Sequence, residues 1–394
     1  MKKLFIVSEL FYPNKTSTAY IMTELAKHFA SSYHISILTT DITYDNNVSG
    51  DLERLSFEVK RCRVSKVDKN NFFSRVKGAI GSSFSLTKEL MKQVQKGDKV
   101  LAVTNPFLII FFLAVLRNFK KFDYTLLVHD VFPENTIPAG LKKKNSFSYK
   151  ILKKIFDWSY RRADSLIVLG EDMKQLLLTK NVTSSRINVI TNWYDADLKY
   201  DSSIEVSKYL GVNDVENKIV IGFAGNVGRV QGLDRFIDCF IKANNDNLYF
   251  VIIGEGAQLS ELKEQSKGYE NVLFLGSKPR EEQSVFLNVF DIGLVTLAKG
   301  MYGLGVPSKS YNLLHLGKPI LYIGDTNSEI DLMIKQGTCG WSLNWDNEEE
   351  LITILRSLNS IDKEEYYHKN SELAIEKYSI DNVMNQFERV INEK

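Results

Sequence analysis

Residues 303–319 read GLGVPSKSYNLLHLGKP: glycines and a proline in a loop, then Ser308 and Lys309, then a short apolar helix that stops at Gly317 before Lys318-Pro319. Glycine past the last periodic residue, with proline just beyond it, marks a helix end. The first turn of such a helix leaves backbone N–H groups unpaired and carries the positive end of the helix dipole, so a phosphate suits it. Lys309 adds a full positive charge, with Pro307 and Ser308 beside it as candidate ligand contacts. Lys309 and Asn312 are three apart and share a helix face, so an ammonium for phosphate and an amide for a hydroxyl can meet one ligand. Taken alone, the stretch also fits a packed helix with a solvated lysine.

The surrounding sequence repeats a strand-then-helix alternation. Apolar runs at 219–223, 248–253, 272–275, 292–297 and 320–323 read as strands, and a helix presents Leu233, Phe236, Ile237, Phe240 and Ile241 to a core. Such alternation implies a doubly wound parallel sheet. Gly225, Gly228, Gly254, Gly256 and Gly276 follow the strands, where glycine lets backbone approach a ligand closely. Residues 362–377 and 380–392 read as terminal helices.

The first half has the same grammar, with strands at 3–8, 34–39, 99–103, 124–128, 165–169 and 187–190 and a first helix whose apolar face is Met22, Leu25, Ala26 and Phe29. The loop 9–18 then lies at the strand ends, where such sheets bind ligands. Residues 41–71 are polar and weakly patterned and receive no assignment. HDVFPE follows the strand at 124–128 and puts His129, Asp130 and Glu134 at the same edge. A lone histidine is more often structural; the position and two nearby acids argue for function.

Length points to two domains, 1–200 and 201–377. Net charge is +2 overall, but residues 1–200 hold 31 Lys+Arg against 19 Asp+Glu and the remainder 19 against 29, hence +12 and −10. Such asymmetry suggests different partners for the two halves. No nucleic-acid motif is visible. Residues 141–162 instead place Phe147, Ile151, Ile155 and Trp158 on one helix face with Lys150, Lys153, Lys154 and Arg161 around it, which fits an anionic membrane interface as well as a core helix with a solvated face. Three scattered cysteines, no signal-peptide core and no apolar run long enough to span a bilayer point to a cytoplasmic protein, peripheral at the membrane. Asp195 and Asp197 form a DxD, a pattern that can hold a metal and that also arises often by chance.

The ordered set HDVFPE, AGNVGRVQGLDRFI, IIGEG, NVLFLG, FDIGLV and GVPSKSYNLLHLGKPIL resembles a family 4 glycosyltransferase of GT-B architecture: α/β, with two doubly wound Rossmann-like domains facing across a cleft. The likeness spans nearly the whole chain and is strongest to the bacterial branch that builds capsule, O-antigen and exopolysaccharide units. It implies that the second domain binds a nucleotide-diphosphate sugar, that the first binds the acceptor, and that the last helix, about 378–394, completes the first domain. It also implies retention at the anomeric carbon and no metal or other cofactor.

Residue by residue, the resemblance makes Lys309 a diphosphate contact and Gly225 the loop beneath the phosphates, with Asn226 and Arg229 in that loop. It puts Gly254, Glu255 and Gly276 at strand ends near the nucleoside, and His129 and Asp130 near the transferred sugar. The family's arginine and lysine in the first loop are here Asn226 and Gln231, with Arg229 between them. Its paired glutamates are Leu304 and Asn312, and Asn312 can hydrogen-bond a ribose hydroxyl but not as an anion. The expected donor is a UDP-N-acetylhexosamine and the expected acceptor a polyprenyl-diphosphate-linked saccharide, with no nucleic acid as partner. A nucleotide-sugar 2-epimerase and a non-catalytic nucleotide-binding subunit are the rivals. The residues without the resemblance support a two-domain α/β enzyme handling a phosphorylated ligand.

Overall fold

The computed structural model describes residues 2–41, 55–64 and 72–393. Two compact units divide the chain: Met1–Ile137, Lys142–Ile190 and Met384–Lys394 form one, and Pro138–Leu141 with Thr191–Val383 the other.

The first unit carries β1 (Lys3–Val7), β2 (His34–Thr40), β3 (Glu58–Cys62), β4 (Lys99–Val103), β5 (Asp123–Val128), β6 (Ser165–Val168) and β7 (Ile187–Val189) in the order β3-β2-β1-β4-β5-β6-β7. Every pairing is parallel. Parallel strands are covered on both faces, which is why the inner ones are continuous apolar runs; all of β4 is buried. Helices α1 (Ser17–Phe29), α2 (Phe72–Gln93), α3 (Ile109–Lys120), α4 (Phe147–Tyr160) and α5 (Glu171–Leu178) supply the cover. Thr16 caps α1 by accepting from the N–H of Ala19, and the expected face of Met22, Leu25, Ala26 and Phe29 is buried, joined by Ala19 and Ile21.

The second unit carries β8 (Ile219–Ala224), β9 (Leu248–Ile253), β10 (Val272–Phe274), β11 (Ile292–Thr296), β12 (Ile320–Ile323) and β13 (Gly340–Leu343), in the order β10-β9-β8-β11-β12-β13. Alternate residues of β8 enter separate cores: Val220 one, and Ile219, Ile221 and Phe223 the other. Its helices are α6 (Val206–Leu210), α7 (Leu233–Ala243), α8 (Leu259–Gln265), α9 (Gln283–Val289), α10 (Lys309–His315), α11 (Glu329–Gly337), α12 (Glu348–Ser357) and α13 (Lys363–Tyr378), and α14 (Ile380–Asn392) ends the chain. From Met384 onward α14 belongs to the first unit, where Glu388 meets His28 Nε2 at 2.9 Å. Each sheet reverses strand order beside its first strand, between β1 and β4 and between β8 and β11. Ligands of such sheets bind at the strand ends flanking that point.

Some expectations change. The boundary at 200 moves back to Ile190. Tyr194 stacks on His315 with centroids 3.9 Å apart, and the Asp195 N–H donates to Asn312 Oδ1 at 2.9 Å. Arg280 also pairs with Asp195 at 2.7 Å, so one acid of the DxD is already committed to an arginine. The two unassigned strands, β3 and β13, are both edges; much of 41–71 lies outside the described residues. On α4, Tyr149, Phe156 and Tyr160 are buried, whereas Phe147 is 80% and Ile151 43% exposed, so the core-helix alternative for that apolar face does not hold at these two residues.

Glu134, finally, turns inward. Lys180, fully buried, donates to both Glu134 oxygens at 2.6 Å and to Asp157 Oδ1 at 2.8 Å, and Lys153 bonds Glu134 at 3.0 Å and Asp157 at 2.8 Å. The four residues pin the segment after β5 to α4, and Lys153 thereby leaves the solvent-facing basic set. Lys180→Met is expected to destabilise the first unit by about 3 kcal/mol, since two carboxylates would keep Lys153 as their sole cation. Urea denaturation followed on this unit measures it, and an unchanged midpoint contradicts it.

Candidate functional site

On the second sheet, the segments leaving β8, β9, β10 and β11 are stitched into one rim. The N–H of Gly225 donates to Ile253 O at 2.9 Å, that of Val227 to Glu255 O at 2.9 Å, and that of Gln258 to Val227 O at 3.1 Å. Gly254 N donates to Gly276 O and Ala298 N to Val230 O, both at 2.8 Å. A Cβ on Gly254 would stand 1.8 Å from the Gly225 oxygen, and one on Gly256 2.2 Å from the Val227 oxygen. These glycines are therefore first of all room for one loop against the next. The rim gathers Gly225, Asn226, Arg229, Gly254, Glu255 and Gly276 at one sheet edge, with Asn226, Arg229 and Glu255 exposed.

Past β11, Asp325 fixes the loop by accepting the N–H groups of Gly300 at 3.0 Å and Tyr302 at 2.8 Å. Leu304 is buried, and Pro307, Ser308 and Lys309 are half-buried at the start of α10. Ser310 Oγ donates to Pro307 O at 2.7 Å and holds that turn. Burial pushes the Lys309 amine down to about 8. No carboxylate pairs with it among the described residues. Because α10 has only seven residues, the dipole argument weakens and the lysine charge carries more of the anion preference. The Asn312 oxygen is taken by Asp195, which leaves its NH2 group for a ligand.

On the first sheet, Thr104 follows β4 and its Oγ1 accepts the N–H groups of His129 at 3.1 Å and Asp130 at 3.2 Å. The His129 Nε2 is sealed from solvent without a hydrogen-bond partner, and burial holds the ring at about 4, hence neutral at pH 7. Asp130 reaches solvent, yet the protein around it lifts its carboxyl to about 6. Glu134 does not join them. The sequence reading missed Glu9, a nearly buried acid at the end of β1; an isolated charge after an apolar strand was its one signal.

The description "Glycosyl transferases group 1" matches residues 211–375, and "Glycosyltransferase Family 4" matches residues 19–198. The chain is 32% identical to the Pseudomonas aeruginosa glycosyltransferase WbjE over 368 residues, 92% of this chain and 90% of that one. It is 24% identical over 171 residues, 42% of each chain, to Escherichia coli K12 WcaI, described as a colanic acid biosynthesis glycosyl transferase. Among solved structures, Anabaena HepE in complex with UDP superposes with a TM-score of 0.71 at 15% identity, covering 100% of both chains. That likeness is one of fold, and the fold is GT-B. With both halves matched by glycosyltransferase descriptions and a relative of this identity along nearly all its length, the chain belongs to the group 1 (family 4) glycosyltransferases.

Proposed function

We propose that the protein transfers a sugar from a uridine-diphosphate sugar to a lipid-linked saccharide during assembly of a bacterial surface polysaccharide. The observation that carries the donor half is Lys309: a half-buried ammonium without an anionic partner among the described residues, on the sheet whose rim offers backbone and Arg229. Such a charge is unfavourable until a diphosphate arrives. UDP in HepE and colanic acid in the name of WcaI support the nucleotide and the pathway class. An N-acetylhexosamine is the sugar that the family resemblance suggests.

Breaking the sugar–phosphate bond puts negative charge on the leaving diphosphate and positive charge on the sugar. Lys309 and Arg229 would meet the first. In this reading the acceptor hydroxyl attacks from the leaving-group side and passes its proton to a donor phosphate oxygen, with retention. In the first unit, neutral His129 and the Asp130 carboxyl are the polar groups offered to a saccharide at the sheet edge. The reading needs no resident metal.

The acceptor half rests on the first unit. Helix α4 is apolar on two sides, and only one is needed by the core. Phe147 and Ile151 stand outside among the exposed Lys143, Lys144, Lys150 and Lys154. Aromatic contacts continue the surface from Trp158 to Phe111 at 6.1 Å and from Phe112 to Phe84 at 6.3 Å, the last 56% exposed. Exposed aromatics ringed by lysines suit an anionic bilayer interface. No helix among the described residues is long and apolar enough to cross a membrane.

Three outcomes are expected. UDP raises the melting temperature by mass action more than GDP or ADP does, and Lys309→Ala abolishes the shift and lowers turnover at least about 100-fold; full turnover in that variant contradicts the assignment. Because the free amine titrates at about 8, UDP affinity is full below that pH and falls by up to about tenfold per unit above it. A flat profile to pH 9.5 contradicts the role of the ammonium. In flotation, the protein binds vesicles containing anionic phospholipid and not neutral ones, and Phe147→Ser with Ile151→Ser releases it; equal recovery with both vesicle types contradicts the surface.

A further inference from the structure

Glu9 leaves β1 at the sheet edge that also bears His129 and Asp130, and its backbone is bound on three sides. Its N–H donates to Asn105 O at 3.1 Å, and its carbonyl accepts from Thr39 Oγ1 at 3.1 Å and Thr40 Oγ1 at 2.9 Å. Asn105 is next to Thr104, whose hydroxyl holds the N–H groups of His129 and Asp130. One hydrogen-bonded run therefore crosses the ends of three adjacent strands, β1, β4 and β5, at the point where strand order reverses. Such a run fixes side-chain positions relative to one another.

The Glu9 side chain is only 8% exposed, and no lysine or arginine among the described residues pairs with it. Burial raises its pKa, and the Ser82 hydroxyl on α2 offsets this only in part. That hydroxyl lies in electrostatic reach without forming a full hydrogen bond. The carboxyl oxygens themselves are not among the sealed unpaired atoms, whereas His129 Nε2 is. A nearly buried acid without a cation is unfavourable for folding, so stability gives no reason to keep it. Two polar groups at one edge, an acceptor-rich carboxyl and a neutral imidazole, remain short of partners.

We infer that Glu9 binds the acceptor saccharide, accepting hydrogen bonds from one or two of its hydroxyl groups, while His129 sits beside the sugar from the neighbouring strand end. A polyhydroxylated neutral ligand satisfies the carboxylate; an anionic one would be repelled by Glu9 and Asp130. The assignment rests on the transferase reading above and makes Glu9 an acceptor-positioning residue with no part in binding the nucleotide.

The test is initial-rate kinetics of the full chain with a UDP-sugar donor and octyl glycosides of glucose, galactose and N-acetylglucosamine as acceptors, comparing wild type with Glu9→Gln. The amide keeps the size and loses the charge. The expected result is a rise of at least about tenfold in acceptor KM, the scale of a lost hydrogen bond to a charged group, with donor KM and the UDP thermal shift unchanged. An unchanged acceptor KM overturns the inference, as does a donor KM that rises in step with it. If Glu9→Gln does not fold, Glu9→Asp reads the same quantities, since a shortened carboxylate also weakens the contact. Absence of transfer by wild type to every glycoside overturns the reading of a simple saccharide acceptor and the inference with it; transfer by wild type with an indifferent variant overturns the inference alone.

Discussion

A strand in a parallel sheet can be joined to its parallel neighbour only by a crossover that leaves from its C-terminal end. Every connection that begins there gathers on one edge, and where the strand order reverses, two of them part and leave room. Both units obey this constraint twice over. The second unit places the turns after β8, β9 and β10 along one edge and ties them by backbone hydrogen bonds. The first places Glu9, Thr104 and His129 at the ends of β1, β4 and β5 and ties them through Thr104 and Asn105. Chemistry is confined to edges because the faces are taken up by cores.

Three lysines out of open solvent show how charge separates scaffold from site. Lys180 is sealed in, and Glu134 and Asp157 clasp it. Lys318 is 8% exposed, donates to Asn288 O at 2.9 Å and lies 5.3 Å from the Tyr200 ring. Both have partners that fix the local chain. Lys309 is desolvated enough to be pushed down to about 8 and has no such partner among the described residues. Desolvation without compensation is sustained where a ligand completes the arrangement. The same contrast on the acidic side separates Glu134, clasped by two lysines, from Glu9, clasped by none.

Interior strands were legible because burial on both faces leaves a continuous apolar run: of the eleven positions along β4 and β5 ten are buried, and eight of those ten are apolar. Two of the four edge strands, β3 and β13, were not. In β3 the pattern of Glu58, Val59, Lys60 and Arg61 is mostly solvent-facing, so nothing marks it as a strand until β2 is beside it. Helix α4 has two apolar faces, and periodicity cannot say which one packs; the sequence left the face of Phe147 and Ile151 open between membrane and core. Glycines announced close approach correctly in kind, but Gly254 and Gly256 approach other backbone, a partner that sequence spacing cannot name. Glu134 and Glu9 are equal as letters near strand ends. Their difference lies in Lys180 and Lys153, more than 15 residues away along the chain.

In the proposed function, the nucleotide diphosphate sits at the edge of the second sheet, against Lys309 and the rim of Gly225, Gly254 and Gly276. Amide hydrogen exchange with and without saturating UDP reads this residue by residue. Slowed exchange is expected only at the amides of 225–231, 254–256, 276 and 308–310, with no slowing in that set for Lys309→Ala at the same UDP concentration. Slowing at 104–105 and 129–130 instead, with the rim unaffected, would contradict it.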